Sequence, residues 1–387
     1  MNMRESRLFE PFEVRGMKLA NRFVLPGMQR GWSVGGAPTS NLIDYYVRRV
    51  RGGVGLLITE SVAVDHPSAT RGPTFSRLNR ETLEAWRTCI AAVHDAGGKI
   101  MPQLWHEGAI RKEEEPGSGG KVVPTLSPSG LMKENRPRGR AATKQELEDI
   151  RRAFVTSAQL AQEVGADGVE LHGAHGYFLD QCLWHETNQR DDEFGGPTLA
   201  HRARYPASIA RAVREACGDD FVISFRFSQW KEIDLNARIA ETVEDLGHFV
   251  SILRDVGVDL LHVSTRRFWE PAWPHSDKTM SRWAKELSGL PVIAVGSVGL
   301  SSDIMETAQG VESEDQISKS VALLEAGILR GDFDLIAVGR GLISDPEWVS
   351  KVREERFEDI IRFERSHIGR LDGETDHMEG VAPKDKR

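Results

Sequence analysis

Short apolar runs rich in β-branched residues alternate along this chain with longer stretches whose apolar positions recur every three and four residues. A strand buried on both faces reads as a short apolar run, and a crossover helix shows one apolar stripe, so the alternation predicts parallel strands joined by helices. Eight runs fall at roughly 22–26, 54–59, 99–104, 167–171, 221–225, 259–263, 291–295 and 334–338. Between two of them Ile239, Val243, Leu246, Val250 and Leu253 keep helical spacing, and Gly257 stands where that helix would stop. Thr143-Lys144-Gln145-Glu146 matches a capping box ahead of Leu147, Ile150, Phe154 and Ala158. Eight strand–helix units favour an α/β fold closed as a (β/α)8 TIM barrel, although an open doubly wound sheet has nearly the same period.

Two segments stand outside the repeat: 107–142, rich in Gly, Pro and charge, and 301–316 between the seventh strand and its helix. Long loops of this kind tend to be functional or mobile. The first is expected to cap the site after the third strand, and the second to be a surface insertion. Residues 1–365 then form one barrel domain, and 366–387 a polar tail expected to fray.

Composition narrows the function classes. The 387 residues are 40% hydrophobic and 28% charged, and no apolar run approaches the roughly 20 residues of a membrane span. The opening Met1-Asn2-Met3-Arg4-Glu5-Ser6 lacks the apolar core of a secretory signal, so a cytoplasmic location is expected. Cys89, Cys182 and Cys217 are widely spaced, which suits reduced packing residues and offers no metal-ligand spacing. A formal charge of −8 argues against a nucleic-acid partner, and the basic stretch Arg136 to Arg140 reads as a solvated loop.

The chemistry-bearing residues gather at the carboxyl ends of the predicted strands, where α/β folds place ligands. Gln103-Leu104-Trp105-His106 ends the third, His172 the fourth, Arg226 the fifth, Gly296 the seventh and Gly339-Arg340 the eighth. His172-Gly173-Ala174-His175-Gly176-Tyr177 offers two imidazoles and a phenol that suit a small oxyanion. The competing readings are a pair of structural histidines, or a zinc site with His106 or Glu170 as a further ligand, though neither has ligand spacing. Gly296-Ser297-Val298-Gly299 and Gly339-Arg340-Gly341 suit the close approach of backbone amides to a phosphate. No Gly-x-Gly-x-x-Gly fingerprint supports a resident dinucleotide domain.

These motifs resemble the Old Yellow Enzyme family of NADH:flavin oxidoreductases over about residues 7–362. The resemblance is carried by Asn21-Arg22-Phe23-Val24, by the Gly52-to-Glu60 stretch and most of all by His172 to Gly196, which ends in Asn188-Gln189-Arg190-Asp191-Asp192-Glu193-Phe194-Gly195-Gly196. It implies bound FMN, a diffusing NADH or NADPH donor, and a small enone-type substrate whose activated C=C bond is reduced. Gln103 would bond the flavin pyrimidine edge, Arg226 would stabilise the reduced ring, and Gly296, Gly339 and Arg340 would hold the phosphate. Met28 and Ser61 would border the ring. His172 and His175 would grip a substrate carbonyl oxygen while Tyr177 protonates the α-carbon. One departure stands out: Gly27-Met28-Gln29 occurs where the family usually has Pro-Met followed by Thr or Cys, so Gln29 replaces a donor that tunes the flavin. The alternatives are an amine-oxidising FMN barrel, or a flavin-binding redox module without turnover. The sequence leaves oligomeric state open.

Overall fold

The computed structural model describes residues 3–112 and 123–375, and the eight predicted runs close there into a ring of parallel strands. They are β1 (Phe23–Leu25), β2 (Leu56–Ala63), β3 (Lys99–Trp105), β4 (Gly168–His175), β5 (Val222–Lys231), β6 (Leu260–Ser264), β7 (Val292–Val295) and β8 (Leu335–Ala337). Each pairs with the next, and Ile336 of β8 opposite Phe23 of β1 closes the barrel that periodicity left open. The strands are followed in turn by α1 (Ser40–Arg51), α2 (Leu83–Asp95), α3 (Lys144–Glu163), α4 (Arg204–Cys217), α5 (Val243–Asp255), α6 (Met280–Ser288), α7 (Ile317–Arg330) and α8 (Trp348–Arg353).

Successive side chains on a strand face opposite ways, and β5 shows what each face meets. Phe225 and Phe227 point outward and meet Phe249 of α5 edge-on, with ring centroids 6.1 and 5.4 Å apart. Val222, Ser224, Arg226 and Ser228 alternate with them and face the lumen. Val24, Leu56, Ile58, Met101, Val222, Leu260, Ile293 and Leu335 fill the lower lumen. A hairpin of Phe12–Val14 and Met17–Leu19 adds Val14, Met17 and Leu19 to that cluster and so plugs the amino-terminal end. Polar lumen residues are thereby confined to the carboxyl half.

The capping box at α3 forms as predicted: Thr143 accepts from the Glu146 amide, and the Glu146 carboxylate reaches back to the Thr143 amide. Arg140 and the two Thr143 bonds outweigh partial burial and hold the Glu146 carboxyl down at about 2. Replacing Thr143 with Ala should cost about 1 kcal/mol in urea unfolding at pH 7. The folded pKa of Glu146 is depressed, so its contribution is present above the unfolded value near 4.3 and is lost as pH falls toward 2. At α5 a second box, Thr242 with Asp245, starts the helix at Val243 rather than at Ile239. The Ile239 and Ala240 amides are instead caught by Gln229 Oε1.

Two boundary expectations change. In 301–316, residues 302–307 are not surface decoration: Ser302, Asp303 and Thr307 are buried, and Asp303 caps a short helix, Ile304–Ala308. The tail does not fray at 366, because His367 bonds Ser344, Asp372 pairs with Arg48, and Arg30 and Arg49 take the carbonyls of Ile368, Arg370 and Leu371. Residues 376–387 lie outside the described part. In the 107–142 segment, 113–122 lie outside it too. The rest forms short pairings, Leu126–Ser127 with Arg140–Ala141 and Leu131–Lys133 with Arg136–Pro137. Lys133 ties this segment to Asp234 beyond β5.

Candidate active site

Three neighbouring strands carry polar side chains into the upper lumen: Glu170 and His172 from β4, Ser224, Arg226 and Ser228 from β5, His262 and Ser264 from β6. Their register places His172 opposite Arg226 and Arg226 opposite His262. The Glu170 carboxylate is fully buried and accepts from Gln103 Nε2 (2.8 Å), Ser224 Oγ (2.9 Å) and His262 Nδ1 (2.8 Å). Gln103 Oε1 in turn accepts from Ser61 Oγ at 2.9 Å. The Gly27 backbone lies so close to this amide that a Cβ there would fall 2.7 Å from Gln103 Nε2, which is why the loop after β1 has glycine at that point. Burial raises the Glu170 carboxyl, but His262, Arg226 and the Gln103 bond prevail and hold it at about 2. Burial lowers His262 despite Glu170, so the pair at neutral pH is a carboxylate receiving an N–H from a neutral imidazole.

Arg226 is buried with only long contacts, 3.4 Å to the Gly27 carbonyl and 3.5 Å to Ser264 Oγ, and its Nε has no partner among the described residues. Burial lowers its pKa and Glu170 opposes that; a guanidinium stays charged regardless. A fixed cation with an unspent donor suits an anionic, planar acceptor edge.

Burial first, and Arg226 second, hold the His172 imidazole down at about 3, so the ring is neutral. Its Nδ1 accepts the Ala174 amide at 3.4 Å, which leaves Nε2 as the donor. His175 sits 5.2 Å from it, centroid to centroid, and adopts a left-handed backbone, φ 65°. Such a conformation in a non-glycine residue costs about 1–3 kcal/mol and needs outside support. That support is visible. Ser228 Oγ accepts the His175 amide, Ser264 Oγ meets His175 Nε2 at 2.8 Å, and Trp230 lies against the ring at 4.6 Å. The next amide, of Gly176, donates to Asp180 Oδ2 at 2.6 Å, and Asp180 forms a fully buried ion pair with Lys231. Tyr177 caps a short helix, Phe178–Leu183. Its ring meets His172 and Trp105 edge-on at 5.1 and 5.3 Å, and its hydroxyl donates to Glu232 at 3.4 Å.

At the ends of β7 and β8 one predicted site residue is also bound into the fold. Arg340 spends its guanidinium on five hydrogen bonds to Ser297, Ser302, Asp303 and Thr307, so its side chain braces the 297–307 segment. Gly296 is glycine because a Cβ would lie 2.8 Å from the Thr265 carbonyl. Gly339 borders Met28, whose sulfur lies 3.4 Å from where a Cβ would stand. Gln29 is half-buried in the same loop, and Glu60 fixes the next two residues by accepting from the Arg30 and Gly31 amides.

The fold thus brings His172, His175, Tyr177, Gln103, Ser61 and Arg226 to one mouth, with Met28, Gln29, Gly296, Gly339 and Arg340 on the strand ends flanking it. Sequence reasoning missed Ser224, His262, Ser264, Asp180 and Lys231, and treated Glu170 only as a zinc candidate. The signal was present as polar residues at every second position in Ser224-Phe225-Arg226-Phe227-Ser228 and in His262-Val263-Ser264. Trp273 braces the neighbouring loop, donating to the Glu241 carbonyl.

The NADH:flavin oxidoreductase / NADH oxidase family model matches residues 7–359. The chain is 34% identical over 379 residues to an NADH oxidase of Thermoanaerobacter brockii, covering 95% of this chain and 54% of that protein. It thus spans about half the length of that relative. It is 31% identical over 373 residues to 12-oxophytodienoate reductase 7 of Oryza sativa subsp. japonica, covering 90% and 88% of the two. The crystal structure of Old Yellow Enzyme from Pichia sp. AKU4542 superposes with a TM-score of 0.77 at 23% identity, over 95% of this chain and 91% of that one. Among the described residues no helix is long and apolar enough to cross a membrane.

Proposed function

Because the chain belongs to the NADH:flavin oxidoreductase / NADH oxidase family, whose cofactor is FMN, we propose that it reduces C=C bonds conjugated to a carbonyl, with NADH or NADPH as donor. The observation that carries this reading is a neutral His172 with a free-facing Nε2–H beside His175 and Tyr177, over a buried Arg226 with an unspent donor. FMN, when bound, supplies the hydride-transfer chemistry. Gln103 and Arg226 hold its ring edge, Met28, Gln29 and Ser61 border it, and the Gly296 and Gly339-Arg340 turns take the phosphate through backbone amides. The Arg340 side chain then braces the neighbouring 297–307 turn.

His172 donates a hydrogen bond from its Nε2–H to the substrate carbonyl oxygen, where negative charge grows as the double bond is attacked. His175 joins it by releasing Ser264, and Tyr177 delivers a proton to the α-carbon. The names of the two relatives, an oxidase of NADH and a reductase of 12-oxophytodienoate, support the donor and the substrate class. The test is anaerobic. The purified protein should carry FMN, bleach with NADH or NADPH, and recolour with cyclohexenone. FMN that is bleached by a secondary amine, or that no enone or nitroalkene reoxidises, would overturn the assignment.

A further inference from the structure

We propose that Glu170 is a positioning residue that sets the reduction potential of the flavin site, acting as a fixed anion through Gln103 and against Arg226. The inference rests on the FMN reading above. Glu170 has no solvent exposure, and its carboxylate is satisfied by an amide, a hydroxyl and an imidazole, all of them neutral donors. Its charge is therefore stabilised in place without being cancelled by a touching cation. His262 serves this carboxylate alone: its Nδ1–H is spent on Glu170, and its buried Nε2 has no partner among the described residues.

Two consequences arise for a ring held by Gln103 and Arg226. The carboxylate takes Gln103 Nε2 and leaves Oε1 to Ser61, which fixes the orientation of the amide that meets the pyrimidine edge. A buried negative charge also disfavours electron uptake by the same ring that Arg226 favours, and in a dry site each effect is little screened. The site thus holds one charge of each sign on neighbouring strands, and the potential reflects their balance.

The test is the midpoint potential of the FMN-loaded protein at pH 7. Glu170→Gln should raise it by at least a tenfold change in the two-electron equilibrium, about 30 mV. Arg226→Gln should lower it, and the double variant, which removes both buried charges, should lie between. Where Glu170→Gln does not fold, the double variant compared with Arg226→Gln reads the same effect in a charge-balanced interior. A shift below about threefold, or a downward one, in these comparisons overturns the proposal. FMN content separates the failures: a parent protein without FMN overturns the flavin reading and this inference with it, whereas full FMN with an unmoved potential overturns the role of Glu170 alone.

Discussion

His172→Ala should leave FMN bound and its reduction by NADPH largely intact, while reoxidation of the prereduced protein by cyclohexenone slows about 100- to 1,000-fold. The reason is differential stabilisation. Charge builds on the carbonyl oxygen only as the bond is attacked, so a donor aimed at it matters more in the transition state than in the ground state. Stopped-flow reoxidation measures this step alone. The same experiment has a pH arm. Burial and Arg226 hold His172 down at about 3, so the donor stays neutral, and the parent rate should show no ionisation near 6.5 belonging to this ring. A parent-like rate in the variant would make His172 structural. An activity that falls as pH rises through 6.5, and does so only while His172 is present, would mean that the ring acts as imidazolium.

The largest stability loss is expected for Lys231→Met, about 3–5 kcal/mol in urea unfolding at pH 8, because a buried carboxylate is left without its cation. Asp180→Asn added to it should recover more than half, since both charges are then gone. Burial outweighs even Lys231 and pushes the Asp180 carboxyl up to about 6, against an ordinary value near 3.9. A raised folded-state pKa means that the native state takes up a proton the unfolded chain does not. The relative stability is then greatest at low pH and is lost as pH rises through the folded value. Without Lys231 the carboxyl moves higher still, so the penalty should shrink between pH 8 and pH 5.5. Equal losses at both pH values would show that Asp180 is not the group left exposed. The same lesion unmoors Asp180, the carboxylate that accepts the Gly176 amide beside the left-handed turn at His175, so enone turnover should fall along with stability.

The barrel was legible in hydrophobic rhythm because strands buried on both faces leave continuous apolar runs. Closure was not, since the Ile336–Phe23 pairing joins residues 313 positions apart and has no local signature. Strand ends were misjudged for a different reason. β4 and β5 run on to His175 and Lys231, where inward polar residues resemble a loop to any hydropathy reading. The same polarity hid Glu170 and His262, whose meaning depends on contact across three strands. The longest family signature turns out to serve architecture: Asn188 holds the carbonyls of Cys182 and Phe194, and Arg190 takes those of Pro128 and Ala142. That ties the capping segment to the loop after β4. Arg340 was read from its charge and its place after a strand; its two terminal nitrogens also fasten the neighbouring 297–307 turn, contacts with no local signature.

The docking of the chain's last described stretch has a consequence for how its sequence can drift. Arg30 and Arg49 grasp the carbonyl oxygens of residues 368, 370 and 371, groups that every amino acid carries. His367 and Asp372 add polar side-chain recognition, through Ser344 and Arg48, and Leu371 packs against the core. Apart from Ser344, the polar contacts that seat this stretch are therefore written more than 300 positions upstream, in and beside α1. Ile368 and Arg370 are left free to vary, whereas the cations that hold their backbone are not. A stretch of quite different composition, joined after residue 366 with the histidine and aspartate kept in step, would find the same grip waiting.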